Sequence, residues 1–168
     1  MEGMDRRDYV TEKFGGMDRA RAIHSSLAQA GAEEGIEFNF NSIERTPNTI
    51  HSHRLVRHAA EHGLQTPLIS AIFDAYFLEG KDIGEPEILA DIAEIVGLNR
   101  DRTIRFLESD IDTETILAED ELARRLGVNG VPCFIMNRKY AVSGAQSPEV
   151  LVQVFDLANQ DETPALSE

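Results

Sequence analysis

Thiol chemistry is almost absent from this chain, which has one cysteine, Cys133, in 168 residues. A single thiol cannot close an internal disulfide, and it cannot supply a Cys-x-x-Cys pair. Nothing demands an oxidising compartment, so the cytoplasm is the expected location. Basic residues are also scarce, with 16 lysines and arginines against 30 acids and a net charge of −14. Such a surface repels phosphate backbones, and no basic patch offsets it, so nucleic acid is not an expected partner. No apolar run approaches a membrane span, and no charged-then-apolar opening reads as a signal peptide, so no membrane contact is expected. Gly-rich phosphate loops, Gly-x-Ser-x-Gly and His-Glu-x-x-His are all missing. What is present is an ordinary apolar content of 42%, in a chain long enough to bury a core.

The first two thirds read as helices. Asp5 to Phe14 is a short one, and Asp18 to Ala30 follows with Ala20, Ile23, Leu27 and Ala30 at helical spacing and Gly31 as a stop. Ile36 to Phe40 alternates, as an extended segment or short strand does. Asn48 caps a helix that runs to about His62 and ends at Gly63. Pro67 suits the first turn of the next helix, which stops at Gly80. Pro86 opens another that ends before Gly97. Arg100 to Leu107 and Thr113 to Leu126 complete the series, with Gly127 closing the last.

The period then changes. Val131 to Met136 reads as a strand, Asn137 to Lys139 as a turn, and Tyr140 to Ser143 as a second strand. Ser147-Pro148-Glu149 is an N-cap, a first-turn proline and a first-turn acid, starting a helix to about Ala158 that buries Val150, Leu151, Val154, Phe155 and Leu157. The residues from Asn159 read as a loose polar tail. Phe134-Ile135-Met136 is apolar on both faces, which suits a central strand, yet a hairpin offers it only one neighbour. The open edge calls for cover from elsewhere or from another chain.

Gly127-Val128-Asn129-Gly130-Val131-Pro132-Cys133-Phe134, followed by Tyr140-Ala141-Val142-Ser143-Gly144-Ala145-Gln146-Ser147-Pro148-Glu149-Val150-Leu151, closely resembles the C-terminal part of DsbA-like thiol–disulfide oxidoreductases of the FrnE type. Upstream, Gly3-Met4-Asp5-Arg6-Arg7-Asp8-Tyr9, Arg45-Thr46-Pro47-Asn48-Thr49, His53-Arg54-Leu55 and Ala75-Tyr76-Phe77-Leu78-Glu79-Gly80 are similar to that family's inserted helical domain. Relatives by fold include 2-hydroxychromene-2-carboxylate isomerases and kappa-class glutathione transferases. The resemblance implies an α/β, thioredoxin-like fold of DsbA type, mostly helical, with an incomplete thioredoxin half. It places a helical insertion domain over 1–110, the C-terminal half of a thioredoxin-like domain over 111–160 and a flexible tail over 161–168. The family's first strand, Cys-x-x-Cys helix and second strand have no counterpart here.

The same resemblance implies that Pro132 follows a cis bond and that Val131 and Pro132 contact a peptide or small-thiol substrate. The reading from the residues alone is a proline opening an edge strand. Asn48, Thr49 and His53 match the family segment facing the active-site groove; on local grounds Asn48 caps a helix and His53 is a surface polar residue. Cys133 is expected to be a small core residue rather than a nucleophile, so no catalytic residue is assigned. His51, His58 and His62 share a helical face but span too far for one ion, so no metal is expected, and no cofactor. Three readings of function stay open: part of a thiol–disulfide oxidoreductase or isomerase lacking its dithiol, a non-catalytic peptide- or thiol-binding module, or an isomerase-like enzyme with a bound thiol. The open edge predicts a homodimer or pairing with an N-terminal segment.

Overall fold

A computed structural model describes residues 3–162. By internal contacts the chain divides into two units, Met1–Leu117 and Ala118–Glu168, with the division inside one helix.

The first unit is helical. Helices α1 (Arg6–Phe14) and α2 (Met17–Glu33) pack on each other. Asp5 caps α1, accepting the Arg7 and Asp8 N–H groups, and Gly15 ends it in the left-handed region. Strand β1 (Met4–Asp5) pairs antiparallel with β2 (Arg45–Thr46), which closes the N-terminal segment across forty residues of chain. Then come α3 (Ile50–Ala60), α4 (Gln65–Phe77), α5 (Pro86–Ile95), α6 (Arg100–Glu108) and α7 (Thr113–Arg125). Pro86 opens α5 where its missing N–H costs nothing, and the Asn99 side chain caps α6 by accepting the Arg102 N–H. The core of α3 to α6 is aliphatic, with Leu55, Leu68, Leu89 and Leu107 fully buried.

Two expectations are corrected in this unit. Gly31 does not stop α2, which continues to Glu33; Gly31 is buried against Phe38, whose ring would lie 2.6 Å from a Cβ there. Ile36 to Phe40 forms no strand. Its alternation serves an aromatic cluster instead: Phe38 and Phe40 stack at 5.1 Å, both meet Phe77 edge-on, and Phe40 stacks on His24 at 4.6 Å. Asn39 N–H donates to the Phe77 carbonyl, which ties the segment to α4.

The second unit holds the end of α7, a hairpin of β3 (Cys133–Met136) and β4 (Tyr140–Ser143), and α8 (Pro148–Glu162). Asn137 and Arg138 turn the hairpin with φ of 52° and 57°. Cys133 pairs with Ser143 and Met136 with Tyr140, and among the described residues neither strand has a second neighbour. Helix α8 covers little. Among the described residues of this unit only Val142 and Ala158 are buried, whereas Val150, Phe155 and Leu157, expected inside, are exposed, because a two-stranded hairpin offers the helix one narrow face. Helix α8 also runs past Ala158 to Glu162; the rest of the expected tail, 163–168, lies outside the described residues.

Candidate functional site

The Val131–Pro132 bond is cis. Val131 is 88% exposed, and among the described residues its backbone N–H and C=O have no hydrogen-bond partner. The Gly144 N–H donates to the Pro132 carbonyl at 2.8 Å. With the Cys133–Ser143 register, that bond makes Pro132–Gly144 and Phe134–Val142 the hydrogen-bonded pairs. The N–H and C=O groups of Cys133 and Ile135 therefore point to the other edge of β3, which is open. Phe134 and Ile135 remain exposed on the opposite faces of the strand. Cys133 is half-buried and free, so it is less enclosed than a core residue. This edge offers backbone donors and acceptors beside apolar side chains, the arrangement that takes up an extended peptide.

In the first unit, Asn48 Oδ1 accepts the Ile50 N–H at 3.0 Å, at the start of α3. Asn48 lines a cleft of about 410 Å³ with His51, Arg54, Leu107, Asp110 and Thr113. Thr49 and His53 are exposed and line neither this cleft nor the neighbouring one at Arg45 and Asp82.

Two residues at this cleft were not among the sequence candidates in these roles. Arg54 is 1% exposed. Its guanidinium donates to the carbonyls of Phe106 (2.9 Å), Leu107 (3.1 Å), Ser109 (2.5 Å) and Ile111 (2.7 Å), and so closes the C-terminus of α6. It also lies 5.1 Å from the centre of the Phe106 ring. Burial pushes its pKa down, opposed by the Asp110 and Asp112 carboxylates, and the group stays a cation. Arg54 Nη1 lies 2.9 Å from His51 Nδ1. A guanidinium only donates, so Nδ1 accepts and the His51 proton sits on Nε2. Burial first and the Arg54 charge second hold His51 below the usual histidine pKa, with Glu85 opposing. The available signal was helical spacing, since Arg54 sits beside Leu55 on the packed stripe of α3, where an apolar residue is expected. His58 does not join His51 in a ligand set. It stacks on Phe106 at 4.5 Å and meets His62 edge-on. Among the described residues no three His, Cys, Asp or Glu side chains are arranged to hold a metal.

The chain is built as a helical unit followed by a two-stranded hairpin and a helix, a mostly helical α/β arrangement. The sequence model of the DSBA-like thioredoxin domain matches residues 2–156, and the chain belongs to that family. It is 31% identical over 96 residues to the thiol:disulfide interchange protein DsbA of Pseudomonas syringae pv. tomato, covering 56% of this chain and 45% of that protein. It is 29% identical over 105 residues to the DsbA of Azotobacter vinelandii, covering 61% and 49%. The crystal structure of a probable DsbA oxidoreductase from Streptomyces coelicolor matches with a TM-score of 0.85 at 27% identity, covering 99% of this chain and 72% of that one. The chain spans about half the length of the curated relatives it matches.

Proposed function

We propose that this chain carries the peptide-binding strand of a FrnE-type thiol–disulfide exchange protein and not its dithiol. The observation that carries this reading is the exposed Val131 backbone, set immediately before cis Pro132 at the open edge of β3. An extended substrate pairs there as an added strand, taking hydrogen bonds from the outward groups of Cys133 and Ile135. Exchange itself needs an attacking thiolate, a disulfide and a leaving thiol, and a lone half-buried cysteine does not provide a resolving partner. Within the first unit taken by itself, Asn48, Thr49 and His53 are proposed as a separate set of polar contacts.

The test has two arms. Insulin reduction by dithiothreitol is followed by turbidity, with and without the chain. Binding of reduced, carboxamidomethylated insulin B chain is followed by calorimetry. The expected outcome is background turbidity together with saturable binding that Val131→Pro abolishes. Catalysed reduction at the rate of an intact DsbA relative, or no heat on titration, would contradict the reading.

A further inference from the structure

A different cleft, of about 520 Å³, lies entirely within the first unit, where the start of α1, helix α2 and the 40–44 segment meet. Arg6, Arg7, Arg21, His24 and Phe40 line it, with Asp5 and Glu44 as its acids. Three arginines, of which Arg21 lies 3.8 Å from Asp18, face two acids on this wall, although the chain as a whole carries 30 acids against 16 basic residues.

Arg6 is the unusual member. It is half-buried, and its guanidinium only donates. Nη1 reaches Thr46 Oγ1 and Nη2 reaches His24 Nε2, both at 3.4 Å, which is long for such bonds. Its Nε is buried and has no partner. Among the described residues no carboxylate pairs with it. Asp5 is the nearest acid in sequence, and its Oδ1 is occupied in accepting the Arg7 and Asp8 N–H groups. Those capping bonds also remove the α1 N-terminus as an anion site. A partly desolvated cation with an orphan donor and two stretched bonds lacks a partner of opposite charge.

His24 completes the arrangement. It receives the Arg6 bond, so Nε2 is unprotonated and the proton sits on Nδ1. Its ring stacks on Phe40 within 13° of parallel, which fixes the imidazole plane beside Arg6. Burial first and the Arg6 charge second hold its pKa below the usual value. An anion on Arg6 would offset the second of these causes and shift the His24 pKa upward, while the Nδ1–H is a donor in either state.

We infer that this cleft binds a small oxyanion, a carboxylate or a phosphate, through the Arg6 guanidinium with His24 as the second donor. A cleft of this volume admits an anion with a modest apolar body, for which Val10 and Ile43 form part of the lining.

The experiment is an NMR titration of the chain at constant ionic strength in chloride. The arginine Nε–H signals and histidine ring signals are followed while inorganic phosphate or, separately, sodium benzoate is added. Saturable shifts of Arg6 and His24 are expected, with a rise in the His24 pKa. Arg6→Gln should bind roughly ten- to a hundredfold more weakly, with an unchanged far-UV circular dichroism spectrum. Saturation by phosphate alone or by benzoate alone supports the site and identifies its source of anion. Shifts that stay linear for both anions would overturn it, as would equal affinity in Arg6→Gln. Should that variant fail to fold, the Arg6 Nε–H signal of the unaltered chain decides the question.

Discussion

Replacing Arg54 by methionine keeps much of the side chain's bulk but strands the end of α6. Three carbonyls, those of Leu107, Ser109 and Ile111, lose the guanidinium donor, and the Arg54–Leu107 bond among them is fully buried; the Phe106 carbonyl keeps the Ser109 N–H and hydroxyl. A buried acceptor left unpaired costs about 1–3 kcal/mol, and a lost bond to a charged donor costs a similar amount where water cannot replace it. The carbonyls of Ser109 and Ile111 are only partly buried and recover some of this from solvent. The expected loss is about 3 kcal/mol, a large fraction of a domain's usual stability. At a urea slope of about 2 kcal/mol per molar, the midpoint falls by about 1.5 M. Far-UV circular dichroism reads that shift. Hydrogen exchange localises it, with the α6 amides and residues 109–113 losing protection first. Arg54→Lys, which retains charge but not the fork, should fall between the two. A midpoint within about 0.5 M of the parent would refute the reasoning, because that is what a surface arginine gives.

Gly31→Ala should lower Tm by about 5 °C, since the new Cβ meets the Phe38 ring and the Ile36 carbonyl; a rise, as an open helical site would give, counts against that packing. Stability should also fall with pH below about 6.5, because the unfolded chain protonates there while His51 and His24, both held below the usual value, do not. His51→Gln, which keeps an acceptor for Arg54, should flatten the slope measured between about pH 7.5 and about pH 5. A slope unchanged in that variant would remove His51 from the account.

Much of the helical order was legible because it is written locally. Pro86, Gly63 and Gly127 carry start and stop chemistry that acts within a turn of chain, and the change of period near Val131 marks the hairpin. The misses share a different cause. Gly31 is chemically the same glycine whether it ends a helix or lets a ring approach, and only the position of Phe38 decides. The Met4–Asp5 and Arg45–Thr46 pairing is too short and too distant in sequence to leave a pattern. Ile36 to Phe40 alternates as a strand does, but its aromatic rings found one another instead. Arg54 reads as a polar helix residue until α6, which ends without a glycine, needs its carbonyls closed. At the hairpin, the cis bond before Pro132 was legible through its motif. His51, weighed only as a metal ligand, acquires its role from the partner that folding brings to it.

The central claim is that the free edge of β3 takes up an extended peptide, and amide exchange at Cys133 and Ile135 tests it most directly. Both N–H groups point away from β4, so they should exchange fast in the free chain and become protected when reduced, carboxamidomethylated insulin B chain is added. The Phe134 amide, already paired with Val142, should change little. Fast exchange at Cys133 and Ile135 that persists at saturating peptide would contradict the account.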